Sequence, residues 1–160
     1  MNLLENEHNQ RSLEAYRSTT LAERLTELAQ SECIETRAAV AYNPSTPIAI
    51  LETLANDSSL EVLTSLAENP NTPSPILEQL ASHPDPELRA ALATNPQLSS
   101  HTLEQLAHDP ILAIRIAVAN HKNTPSLTLK RLSVDSSSQV RQAAFQKLKP
   151  RTSKGKKKKR

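Results

Sequence analysis

Arg37, Arg89, Arg115 and Arg141 stand at whole multiples of one step, the spacing between Arg89 and Arg115. A guanidinium is a rigid fork of donors that fits a carboxylate or phosphate with two parallel bonds. A row of them has two uses: it can face an acidic partner, or each fork can close on a carboxylate in the chain's own turns, such as Asp57, Asp109 or Asp135, and join neighbouring turns. Leu63 stands where the row would continue, and that break argues against a continuous track for nucleic acid.

A second concentration of charge closes the sequence, where Lys147, Lys149, Arg151, Lys154, Lys156, Lys157, Lys158, Lys159 and Arg160 follow one another without an acidic residue. Such a segment lacks the apolar side chains needed to fold and is expected to be disordered. It would be drawn to nucleic acid or another anionic surface in a salt-dependent, sequence-blind manner, with Lys130, Arg131 and Arg141 as adjoining ordered charges. The net charge of +2 conceals this polarity: residues 1 to 110 carry five arginines against 16 acidic side chains, and residues 111 to 160 carry 14 basic side chains against Asp135 alone. The two ends could attract each other head to tail. That self-association would be weak, because exposed charges are screened over about 8 Å at physiological salt.

Other chemistry finds few residues. His101 and His108 are seven apart and lack the i, i+4 spacing that holds zinc on a helix, while His83 and His121 occupy positions filled elsewhere by Asp57 and Asn43 and read as polar turn residues. Cys33 is the only cysteine and has no histidine at a fitting place to activate it. The one glycine, Gly155, lies in the tail, so the body has no phosphate-cradling loop and no nucleophile elbow. Tyr16, Tyr42 and Phe145 are too few for a base-stacking platform. We expect no catalytic residues, no cofactor and no metal site, and hence no enzyme.

What must position these side chains is a repeat. Leu28, Leu54, Leu80, Leu106 and Leu132 are 26 apart, and Leu25, Leu51, Leu77, Leu103 and Leu129 keep the same step. Apolar residues at i, i+3 and i+4, as in LxxLA and again in LRAALA or IRIAVA, predict two short helices per unit. First helices are predicted near 21–30, 47–55, 73–81, 99–107 and 125–133, and second helices near 32–42, 60–68, 86–94, 112–120 and 138–147. Thr46, Thr72 and Thr124 suit the N-cap, each followed by a proline at the first helical position. Asn43, Asn69 and Asn95 suit a left-handed helix end, with Pro44, Pro70 and Pro96 stopping the ladder. Residues 11–17 are in phase with 37–43, so 1–20 reads as a cap or degenerate half repeat, 21–148 as the helical array and 149–160 as the tail.

The stretch RAAVAYNPSTPIAILETLA, from Arg37 to Ala55, resembles the leucine-rich repeat variant family, whose units are short helix pairs. The chain is also similar to HEAT-like repeats in placing an arginine six positions after a turn aspartate, as in Asp109 with Arg115 and Asp135 with Arg141. The resemblance implies a helical solenoid that works as an interaction scaffold. Some members of the variant family carry an iron–sulfur cluster on N-terminal cysteines; a single cysteine excludes a cluster held by such ligands here. The expected fold is all-α, a short right-handed α-solenoid of about five 26-residue two-helix repeats with a disordered basic tail. The expected function is protein–protein interaction with an unidentified partner, the alternative being nucleic-acid or polyanion binding through the tail. No apolar run approaches the roughly 18 residues of a membrane helix and the N-terminus is polar, so the expected location is cytoplasmic. Phe145, where other units have Ala67, Ala93 and Ala119, marks a cover over the last unit or a contact with another chain.

Overall fold

The computed structural model describes residues 3–17 and 21–149, which form eleven α-helices and no strand. They are α1 (Leu3–Tyr16), α2 (Ala22–Leu28), α3 (Ile34–Tyr42), α4 (Ile48–Leu54), α5 (Leu60–Glu68), α6 (Ser74–Leu80), α7 (Pro86–Leu92), α8 (Ser100–Leu106), α9 (Leu112–Asn120), α10 (Ser126–Leu132) and α11 (Ser138–Leu148). The order matches the expected alternation of first and second helices at a constant period.

The two helix types pack differently. The second helices lie directly against one another in the series α1, α3, α5, α7, α9, α11, whereas the first helices make only marginal contact with each other and rest on the second helices. Small side chains permit the close approach. Ala15, Ala41, Ala67, Ala93 and Ala119, one per step, are all fully buried. Beside them run two further rows with no exposure, Val40, Leu66, Leu92, Val118 and Ala144, and Thr36, Val62, Leu88, Ile114 and Val140. The first helices add Leu25, Leu51, Leu77 and Leu103, also fully buried. Helices of seven to nine residues are too short to persist alone in water. Each buried Leu contributes about 1.5–3 kcal/mol, and the stack is what buries it.

Two local expectations are corrected. Thr46 and Thr72 do not cap the helices that follow: their Oγ1 donates backwards to the Val40 and Leu66 carbonyls, at 2.7 and 2.6 Å, and Thr124 does the same to Val118 at 2.6 Å. The N-caps are Pro47, Pro73 and Pro125, with helical φ but extended ψ near 145°, so the proline precedes the helix rather than opening it. The unit with Leu98 in place of the threonine has Ser99 as a true cap, its Oγ accepting from Thr102 N at 3.1 Å. The asparagines are not left-handed either. Asn43 and Asn69 sit at φ −67° and −66° with ψ near 120°, and no described residue has positive φ. A chain without glycine in its turns is thereby spared left-handed strain.

Candidate functional site

The extended conformation of the asparagines points their amides across the unit boundary. Asn69 Nδ2 donates to Ala41 O at 2.7 Å and Asn43 O at 2.9 Å, both in the preceding unit, while its Oδ1 accepts from Asn71 N at 2.9 Å. Asn95 repeats this with Ala67 O (2.6 Å), Asn69 O (2.9 Å) and Gln97 N (2.9 Å). Asn43 repeats it with Ala15 O (2.5 Å) and Arg17 O (2.7 Å), so α1 holds the place of a second helix from one unit earlier. These amides are buried and fully bonded, which is what makes a polar group in a core stabilising rather than costly. His121 stands in the next place: its Nε2 meets Asn95 O at 2.9 Å and its Nδ1 accepts from Asn123 N at 3.1 Å. With Nδ1 accepting, Nε2 carries the proton and donates. Burial lowers the affinity of this imidazole for a second proton, offset in part by the bond to Asn95.

The arginine row runs beside the asparagines. Arg37 places Nε and Nη2 on Asp57 at 2.6 and 3.1 Å, Arg89 places them on Asp109 at 2.6 and 3.3 Å, and Arg115 places them on Asp135 at 2.8 and 3.1 Å. Each pair reaches forward into the next unit. The remaining nitrogen, Nη1, reaches back to two carbonyls of its own unit's turn: Ser31 and Glu32 for Arg37, His83 and Pro84 for Arg89, Asp109 and Pro110 for Arg115. The arginine that follows a turn aspartate in sequence therefore binds that residue's carbonyl, and its carboxylate partner belongs to the following unit.

Every aspartate of the row also accepts a backbone N–H: Ser59 for Asp57, Ile111 for Asp109, and Ser137 for Asp135. The Arg37 fork holds the Asp57 carboxyl below its ordinary range, and Arg115 does the same for Asp135. Burial pushes Asp109 up, but Arg89, the Ile111 N–H and the nearby Arg115 charge outweigh it, so this carboxyl also lies low. Carboxylates bonded in this way join turns; at neutral pH they carry no proton to give and are poor general bases.

Leu63 and His83 account for the gap. Their separation in sequence equals that of Arg37 and Asp57, so the unit that lacks the arginine is followed by a unit that lacks the aspartate. His83 keeps only the local half of the role, its Nδ1 accepting from Asp85 N at 3.1 Å. Arg141, the last of the row, has its Nη1 on Asp135 O and Ser136 O at 2.7 and 2.9 Å, in the same pose as the others. Among the described residues no carboxylate meets its other edge.

Of the expected anion contacts, Lys147 and Lys149 lie at the end of α11, while Arg151, Lys154, Lys156, Lys157, Lys158, Lys159 and Arg160 fall outside the described residues. Lys130 is exposed on α10; Arg131 and Thr128 converge on Glu104 of the preceding unit. Cys33 precedes α3 and its thiol donates to Glu35 at 2.9 Å. Among the described residues no group of three or more His, Cys, Asp or Glu is placed to hold a metal, and no helix is long and apolar enough to cross a membrane.

Residues 34–59, 60–85 and 86–111 match the sequence profile of the leucine rich repeat variant family, three consecutive units without a gap. These units belong to the leucine-rich repeat variant family. In its terms, a variant repeat here begins with a second helix and ends in the turn before the next one. The chain is similar to a solved structure described as a leucine-rich repeat variant with a novel repetitive protein structural motif, at 25% identity, a TM-score of 0.43 and 86% coverage of this chain. It spans 65% of the length of that protein. No curated protein matches it.

Sequence reasoning ended the second helices at the asparagines and missed that the same residues clamp the repeats together. The signal was present: an asparagine at the same place in unit after unit, beside an apolar helix, needs more partners than a helix end supplies.

Proposed function

We propose that the chain is a non-enzymatic protein-interaction scaffold, with the array of residues 21–148 as its binding body. The observation that supports this most is the fixed stack of second helices, which carries one helix face after another in register. Rigid, regularly spaced faces lower the ordering cost of binding an extended partner. The surface of that stack includes Tyr16 and Tyr42, half-exposed and edge to face with ring centres 6.0 Å apart, on neighbouring second helices. Tyrosines of this kind are enriched at protein interfaces. Arg37, Arg89 and Arg115 serve the stack itself in this reading, since their forks are occupied.

The test is affinity capture at physiological salt with the full chain and with a chain ending at Lys149. Retention of the same protein by both supports the scaffold, and loss of every partner on removal of the tail contradicts it.

The second reading, polyanion binding through residues 149–160, draws on the charge of the C-terminal third. There Lys122, Lys130 and Lys149 are exposed and the sole acidic side chain, Asp135, is bonded to Arg115. It predicts binding to duplex DNA that falls by orders of magnitude between low and moderate salt.

A further inference from the structure

The boundary between consecutive units is a template that α11 leaves half filled. At three boundaries a second helix offers an arginine edge, Nε with Nη2, and the next unit supplies a turn aspartate to it. Arg141 is braced for the same bond. Its Nη1 is fixed on the Asp135 and Ser136 carbonyls as Arg115 is fixed on those of Asp109 and Pro110, so the free edge is oriented before any ligand arrives. One turn further along α11 comes Phe145. Its equivalents Ala67, Ala93 and Ala119 are 0% exposed beneath the following unit, whereas Phe145 is 53% exposed. The basic and the apolar half of an uncovered boundary thus lie side by side on one helix face. The helix carries no acidic residue, and among the described residues no further helix packs on this face.

We infer that this face of α11 docks an acidic helical hairpin of another protein, which continues the stack in trans by placing a turn aspartate on Arg141 and an apolar side chain against Phe145. The inference rests on the scaffold reading and names the kind of partner that such a scaffold takes. The occupant is argued from charge and register: the edge is shaped for a carboxylate, the basic C-terminal end of α11 at Lys147 and Lys149 favours an acidic molecule, and the same chain shows three times what fills the slot. A second copy is a poorer occupant. The residue of its first α2–α3 turn that corresponds to Asp57 is Ser31, which has no carboxylate to offer.

The probe is a labelled peptide of residues 99–120, which carries a first helix, the Asp109 turn and a second helix, each helix held by a covalent staple at exposed positions so that the hairpin is helical by circular dichroism before it binds, and its binding to the full chain is followed by fluorescence anisotropy. Arg141→Gln should weaken its binding at least tenfold, and Phe145→Ala, a change at an exposed side chain that leaves the fold intact, at least threefold. A peptide with Asp109→Asn should bind the wild-type chain tenfold more weakly and lose nothing further against Arg141→Gln. Absence of binding, or binding that neither variant alters, overturns the inference and leaves the scaffold reading standing; only failure of the capture experiment removes that. Sedimentation of the unlabelled chain as a dimer that Arg141→Gln dissolves would overturn it in favour of a second copy.

Discussion

Replacing Asn69 by alanine should destabilise the array far more than its position in a turn suggests. The change removes the donors to Ala41 O and Asn43 O and the acceptor of Asn71 N, three bonds of 2.7 to 2.9 Å. Asn43 O retains the Thr46 N–H, whereas Ala41 O belongs to a fully buried residue in the last turn of α3, where intrahelical donors run out. Three bonds at about 1 kcal/mol each, one of them to a buried acceptor, bring the cost to about 3–4 kcal/mol. For a chain of this size that is a fall in Tm of about 6–16 °C. Urea unfolding followed by circular dichroism reads the cost directly, provided the m-value is unchanged. Asn71→Ala is the control: it removes one exposed bond to Pro44 O and should cost less than about 1 kcal/mol. Asn69→Asp keeps the size and the acceptor while setting a carboxylate against two carbonyl oxygens, so it should cost at least as much as alanine. An Asn69→Ala cost below about 1 kcal/mol, or a mild Asn69→Asp, would refute the claim that these amides clamp the units.

Two further predictions probe the same boundaries. Arg89→Leu and Asp109→His should each cost about 1.5–3 kcal/mol. Together they recreate the pair already present at Leu63 and His83, so the double change should cost at least about 1 kcal/mol less than the sum of the two in a urea-monitored cycle. Because burial keeps His121 neutral, its folded-state proton affinity lies below that of the unfolded chain, and the stability it confers is present above about pH 6.5 and lost as pH falls through the lower folded value. Thermal melts from pH 7.5 to 5 should decline for the wild type and stay flatter for His121→Asn. A second loss, from Asp57, Asp109 and Asp135, should begin for both only below about pH 4, as these depressed carboxyls take up protons.

The fold was legible because a leucine at one fixed step and helical apolar spacing leave few alternatives. Helix order and period could be read from Leu25 to Leu132 alone. The conformations of the punctuating residues could not. Asn, Thr and Pro have strong local preferences, and those preferences predicted a left-handed asparagine and a capping threonine. Tertiary bonds overrode both: Thr72 turns back to Leu66, and Asn69 extends to reach Ala41. The arginine row was readable as residues and only partly as geometry, since the pairing with an aspartate of the following unit depends on how far one unit is rotated against the next. The exposed face of α11 had one sequence signal, Phe145 in a column of alanines; the empty edge of Arg141 became visible only beside its three filled counterparts.

In this reading the folded array binds protein, and any attraction to nucleic acid comes from the tail. Titrating duplex DNA with the full chain and with the chain ending at Lys149, across a range of salt, tests this most directly. The expected result is weak binding by the full chain that fades as salt approaches physiological levels, and none by the shortened chain. Tight binding at physiological salt that survives removal of residues 150–160 would contradict it and make the array itself a nucleic-acid reader.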